Sequence, residues 1–306
     1  MGKIARSREA VEGEIRMALR IGGYGIDYLG DPEAYARAHL AFGYNAAYMP
    51  NIKIDSSDEI AAIVAAMARA DIVIAEGGAW KNLVAHDDAI RKANLDHAVH
   101  QLALADAFGA RACVAYLGTV GHPGDPWQLS DNYDYGPHPD NQSEAGFARA
   151  VDTARYVIDA VKPRRTKFSL EMVPWLVTDT AENYLKLLKA IDRPQFGAHI
   201  DAANMVLSPR LYFDTGRMIR EAFDLLGPWV VSCHAKDIVM QGGPGNISFH
   251  FNEVPPGDGN LDYGAYVTEI CRLGGDVPLM LEHFDVPAYR RGLAHIRQVA
   301  RAAGVD

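Results

Sequence analysis

Four short stretches in the second half of the chain each set a potential metal ligand at the end of an apolar run. They are Glu171 in SLEMVPW (169–175), Asp201 in AHIDAAN (198–204), His234 in SCHAKD (232–237) and Glu282 in LMLEHF (279–284). Glutamate and aspartate are almost never fully buried unless something pairs with them. If the four converge, three carboxylates and one imidazole make an oxygen-rich set suited to Mn²⁺, Mg²⁺ or Co²⁺ rather than to a thiolate-preferring metal. A shared cation would also let several carboxylates tolerate one another in a partly buried pocket. Each residue alone has a plainer reading, as a solvated or ion-paired loop acid or a satisfied core histidine. The recurrence at the same end of four successive strands favours the metal.

Neighbouring polar residues extend the candidate site. His199 lies two before Asp201 and shares its strand face, either as a substrate ligand or as core lining. Asn204 and Lys236 lie just past the ligands and are placed to hydrogen-bond substrate hydroxyls. Lys236 reads equally as a solvated loop charge or as a partner of Asp237. Glu253, in an insertion ahead of PPGDG, is assigned to the site, with capping of a helix near Leu261 as the alternative. Glu76, at the end of a third strand, reads as a surface residue, with reach to the pocket rim as the alternative. His283, beside Glu282, is expected to point away from the site, and Cys233 to pack against the helices.

The elements that would position these residues come from hydrophobic periodicity. IRMALRI (15–21), NAAYMP, DIVIAEG, RACVAYLGT, TKFSLEMV, FGAHIDAANMV, WVVSCHAKDI and VPLMLEHF read as strands, each followed by an amphipathic helix. Asp31 is a plausible helix cap and Gly109 a helix terminator. Eight strand–helix units within 306 residues predict a single-domain α/β fold, a (β/α)₈ TIM barrel over 1–306. The rival is a doubly wound open sheet, which the absence of G-x-G-x-x-G after the first strand weakens. Two connections, Gly118 to Gln142 and Val239 to Asn260, are long, rich in aromatics and histidines, and follow strands. That is the end at which barrels carry their sites, so these connections read as walls or a lid.

Composition narrows the classes. A net charge of −9 argues against nucleic acid as the main partner. Three dispersed cysteines without C-x-x-C fit a reducing compartment and no structural zinc site. No signal peptide and no apolar run of membrane-spanning length is visible, so a soluble, cytoplasmic protein is expected.

LEMVPW, HIDAAN, CHAKD and PPGDGNLDYGAY with LEHF together resemble the xylose-isomerase-like barrels, sugar phosphate isomerases and epimerases, over most of the chain. The resemblance implies a divalent metal, Mn²⁺ first and Co²⁺ next, on Glu171, Asp201, His234 and Glu282. It makes Glu171 and Glu282 the catalytic acid/base pair, one removing a proton beside a sugar carbonyl and the other returning it to the opposite face through an enediolate. It further implies a small-molecule sugar substrate and a homodimer or tetramer. Trp80, Trp127 and Trp175, which follow the third, fourth and fifth strands, are then placed to pack against the apolar face of a sugar or to anchor loops.

The ketose 3-epimerase branch carries a second glutamate soon after the fifth-strand ligand, a histidine where this chain has Asn204, and an arginine after the seventh strand. None of these substrate contacts is present, while the metal core is kept. The reading is a metal-dependent isomerase or epimerase on a keto sugar or polyol-derived substrate. The alternative is a metal-dependent lyase or dehydratase on a 3-keto sugar or C-glycoside derivative, against which Ser169 stands where that group has histidine. Phosphodiester hydrolysis and a non-catalytic sugar-binding role are further rivals.

Overall fold

The computed structural model describes residues 19–126, 135–243, 245 and 247–305. Eight parallel strands form the barrel. They are β1 (Arg20–Gly23), β2 (Ala46–Tyr48), β3 (Val73–Gly78), β4 (Ala112–Ala115), β5 (Lys167–Leu170), β6 (Ala198–Asp201), β7 (Val230–Ala235) and β10 (Pro278–Leu281). They hydrogen-bond in two arcs, β2-β3-β4-β5 and β1-β10-β7-β6. The first-strand candidate at 15–21 is shifted: β1 runs on to Gly23, and residues 15–18 lie outside the described residues.

The barrel closes at two seams where regular ladders are missing. Between β1 and β2, Asn45 substitutes for strand pairing: its Oδ1 accepts from Ile21 N at 2.7 Å, and its own N donates to Ile21 O at 3.0 Å. Gly22 is required here, because a Cβ would stand 2.4 Å from Ala46 O. Between β5 and β6, Gly197 N donates to Phe168 O at 2.9 Å. The buried Tyr184 hydroxyl bridges this seam, donating to Leu170 O at 2.6 Å and accepting from His199 N at 3.3 Å.

The outer layer is helical: α1 (Pro32–Phe42), α2 (Ser57–Arg69), α3 (Asp88–Phe108), α4 (Glu144–Val161), α5 (Ala181–Ile191), α6 (Pro209–Tyr212), α7 (Thr215–Leu226), α8 (Tyr263–Arg272) and α9 (Val286–Ala303). Asp31, Asp87, Ser143, Thr180, Asp262 and Asp285 accept N–H bonds at their helix starts, and Gly43, Gly109 and Gly304 end helices in the left-handed conformation. Strand side chains turned outward and the apolar helix faces make one continuous core. No described helix is long and apolar enough to cross a membrane.

One expected loop is a different element. The connection after β7 is an antiparallel hairpin, β8 (Asp237–Gly242) with β9 (Phe249–Val254). Asp237 anchors its base, accepting from Ile238 N, Leu261 N and Gly257 N at 2.8–3.0 Å. A buried carboxylate with three N–H donors holds the hairpin and the PPGDG turn as one unit.

Candidate functional site

Glu171, Asp201, His234 and Glu282 converge at the C-terminal mouth of the barrel, all buried, with one donor atom from each lying within 4.8 Å of the others. His234 Nδ1 lies 2.9 Å from Glu282 Oε2, 3.3 Å from Glu171 Oε1 and 4.0 Å from Asp201 Oδ2. Asp201 is aimed by its own loop. Its Oδ1 accepts from Ala203 N at 3.1 Å and Asn204 N at 3.2 Å, which leaves Oδ2 for the centre. Tyr266 supports two of the strands from outside, its hydroxyl facing the carbonyls of His234 (2.9 Å) and Ile200 (3.1 Å).

Lys236 is neither solvated nor paired with Asp237. Its ammonium is fully buried and bonds both Asp201 and Glu282, with Glu253 Oε1 at 3.6 Å. It lies two residues after His234 on a chain whose direction is fixed by Tyr263, which donates to the Lys236 carbonyl at 2.9 Å. A positive side chain thus already stands among the carboxylates.

Glu76 departs most from its sequence reading. It is 1% exposed, and its Oε2 lies 3.2 Å from His234 Nε2. A shift of register between β2 and β3 at Ala47/Tyr48 alters the alternation from which its direction would be inferred. With Nε2 engaged by Glu76, Nδ1 of His234 faces the three acids and becomes free to ligate an ion once its own proton is lost, an arrangement metal-ligating histidines commonly adopt. His199 lies below, with Nδ1 2.7 Å from Ser232 Oγ and 3.7 Å from Glu76 Oε1. It faces the barrel interior rather than the cavity.

The electrostatics follow from burial and mutual proximity. Burial raises the Asp201 carboxyl to about 6 against the pull of Lys236. Glu282 is also penalised by burial, but His234 and Lys236 together outweigh it and hold Glu282 well below the usual carboxylate range. Burial opposes charge on His234 and on Lys236, yet the surrounding carboxylates raise both well above their ordinary values.

Above the centre is a cavity of about 320 Å³. Four lining residues are aromatic: Tyr24 after β1, Trp80 after β3, Tyr116 after β4, and Tyr135. Trp80 and Tyr116 stack at 6.1 Å and 23°, with Tyr135 edge-on to Tyr116 at 5.2 Å. Gly78 makes this possible, since a Cβ there would meet the Trp80 indole nitrogen at 2.1 Å. The remaining lining residues are polar: Glu171, Asn204, Lys236, Glu253, Glu282 and His283. Glu253 is carried in by β9, and its Oε2 lies 2.8 Å from His283 Nδ1. His283 faces the cavity after all, because it sits past the end of β10 with φ +68°, where strand alternation no longer applies. Trp175 does not line the cavity but packs edge-on behind Tyr135 at 4.9 Å. Trp127 lies outside the described residues.

Tyr24 and Tyr116 were not expected as wall residues, whereas Tyr135 lies in the 118–142 connection that reads as a wall or lid. For Tyr24 and Tyr116 the available signal was an aromatic directly after a strand, as in IGGY and VAY.

The profile of the family described as Xylose isomerase-like TIM barrel matches residues 36–299. No curated protein matches the chain in sequence. Among solved structures, a Xylose isomerase-like TIM barrel protein from Mycobacterium smegmatis in complex with magnesium is 17% identical, with TM-score 0.64 over 95% of this chain and 99% of the other. A 3-keto-D-glucoside 4-epimerase from E. coli is 15% identical, with TM-score 0.62 over 92% and 99%. A probable 3-DHS dehydratase involved in petrobactin synthesis, from Bacillus anthracis, is 14% identical, with TM-score 0.63 over 92% and 98%. The chain belongs to the xylose isomerase-like TIM-barrel family.

Proposed function

We propose that the protein is a divalent-metal-dependent isomerase or epimerase acting on a keto sugar or polyol-derived substrate. The observation that carries the reading is the convergence of one imidazole and three carboxylates beneath a sugar-sized cavity. The residues fit an ion: His234 presents Nδ1 with Nε2 engaged by Glu76, and Lys236 already neutralises two of the acids as a cation would. Glu171, Asp201, His234 and Glu282 would hold Mn²⁺, with Mg²⁺ or Co²⁺ as substitutes. The magnesium bound in the Mycobacterium smegmatis relative accords with a divalent ion.

When bound, the ion supplies Lewis-acid polarisation of a carbonyl and its neighbouring hydroxyl. Glu171 and Glu282 both line the cavity, from β5 and β10, across the barrel mouth from each other. One removes the proton from the carbon beside the carbonyl, and the other returns a proton to the enediolate from the opposite face. Lys236, Asn204 and Glu253 hold the hydroxyls and fix which carbon is presented. The E. coli relative, a 3-keto-D-glucoside 4-epimerase, supports this chemistry as an analogy of fold.

A lyase or dehydratase is the second reading, favoured by the Glu253–His283 pair on the wall, which can donate a proton to a departing oxygen. The test is metal content beside product mass. Wild type should hold about one ion per chain, Glu171→Gln and Asp201→Asn should hold less, and an isomerase conserves substrate mass where a lyase does not. Wild type that takes up no ion would remove the proposal.

A further inference from the structure

The end of the barrel opposite the candidate site carries a concentration of positive charge that the proposed reaction does not use. The segment KPRRTK (162–167), between α4 and β5, places four cations in six residues of a chain whose net charge is −9. It lies where β5 begins, whereas Glu171 lies just past the point where β5 ends. Barrels carry their chemistry at the C-terminal ends of the strands, so this N-terminal mouth is a separate surface.

The segment is held in shape by groups that leave its charge uncancelled. Asp106 of α3 accepts from the backbone N–H groups of Arg164, Arg165 and Thr166 at 2.9, 2.7 and 3.0 Å, all on Oδ1. The Arg165 guanidinium donates to the carbonyls of Asp106 and Ala107, and the Lys167 ammonium to that of Pro194. Carbonyls satisfy these donors without supplying a full negative charge. Asp159, the acid nearest in influence to Lys162, is held in a two-point pair by Arg193, at 2.8 Å to each oxygen. Among the described residues no ion pair includes the side chain of Lys162, Arg164, Arg165 or Lys167. Lys162 also closes α4 in the left-handed conformation, φ +55°, where Gly43, Gly109 and Gly304 close other helices. A cation thus stands where glycine would be less strained.

These four side chains border a cavity of about 320 Å³, with Pro163 and Pro194 as stiff parts of its wall. That volume suits a small molecule rather than a polymer. Guanidinium forks match phosphate oxygens two at a time, and lysine adds a point charge. Several uncancelled cations favour an anion of several charges over a lone carboxylate. We propose that the N-terminal mouth of the barrel holds a binding site for a small, multiply charged phosphate compound, seated on Lys162, Arg164, Arg165 and Lys167. The site is independent of the isomerase reading at the other mouth.

The test uses the full chain in chelator, so that no ion in the other mouth attracts the probe, and follows inorganic pyrophosphate by calorimetry. Pyrophosphate should saturate at a single site and bind more weakly as salt rises. Lys162→Gln combined with Arg164→Gln should weaken it by about tenfold or more, while Arg69→Gln combined with Lys92→Gln, at cations elsewhere, should change it by less than about twofold. All four side chains are exposed, so both double variants should melt as wild type does. Pyrophosphate that fails to saturate would overturn the proposal. So would equal weakening by the two double variants, which would mean attraction to net charge alone. A short single-stranded RNA that displaces pyrophosphate and binds far more tightly would replace the small-molecule site with a nucleic-acid surface.

Discussion

Replacing Lys236 with methionine would remove the positive charge from the centre while keeping the length and packing of the side chain. In the metal-free protein the ammonium is the direct partner of Asp201 and Glu282, and Glu171 lies within the same cluster. Removing one partner of a buried ion pair costs about 3–5 kcal/mol, because the remaining charge is left uncompensated. For a chain of 306 residues the unfolding entropy is roughly 0.6 kcal/mol per kelvin, so the expected fall in Tm is about 5–8 °C. The loss depends on pH. Asp201 has a folded-state carboxyl raised to about 6, above its unfolded value, so its ionisation opposes folding at neutral pH and above. Protonation relieves that cost as pH falls through the folded-state value, which lies higher still once Lys236 is gone. The destabilisation is therefore full at alkaline pH and shrinks on acidification. Thermal melts in chelator and in Mn²⁺ supply the assay. The ion should raise the Tm of Lys236→Met by more than it raises that of wild type, since it replaces the missing positive charge. A variant as stable as wild type in chelator, or one that Mn²⁺ fails to rescue, would refute the view that these acids form a cation site.

Three further outcomes follow from the same geometry. His234 is held protonated well above its ordinary range and must lose that proton to ligate, so metal affinity measured by chelator competition should fall about tenfold per unit as pH drops. The fall should steepen below about 6, where Asp201 also protonates. Glu76→Gln, read at about pH 9 where proton competition at Nδ1 is least, should weaken the ion by about 10–100-fold. An affinity unchanged by that substitution would mean that Glu76 does not orient His234. Tyr184→Phe removes the hydroxyl that spans the β5/β6 seam and should cost about 1–3 kcal/mol, visible as a Tm lower by about 2–5 °C with metal content unaltered.

The convergence of Glu171, Asp201, His234 and Glu282 was legible because barrel strands bring their C-terminal ends together, so four acids or imidazoles at equivalent strand ends imply one centre. The helix limits at Asp31 and Gly109 were legible for the same local reason, cap chemistry being written in one or two residues. What depended on register or on positions past a strand was not. Glu76 turns inward across an irregular β2/β3 pairing, and His283 turns inward because its backbone is left-handed. Lys236 pairs across the barrel with residues 35 and 46 positions away, rather than with the adjacent Asp237. The β8–β9 hairpin was read as loop although FHFNEV alternates, because glycines and an exposed face diluted its apolar signal. The hairpin matters to the site, since it delivers Glu253 to the cavity.

The most direct measurement is solvent hydrogen exchange at the carbon beside the carbonyl. Mn²⁺-loaded wild type, Glu171→Gln and Glu282→Gln would be incubated in deuterated water with a panel of neutral keto sugars and followed by proton resonance. The account predicts deuterium incorporation by wild type into at least one of them, abolished by chelator and reduced about 10²–10⁴-fold in each variant. Exchange that survives both substitutions, or a wild-type protein that holds its ion and exchanges nothing, would contradict the assignment of Glu171 and Glu282 as the proton-transferring pair.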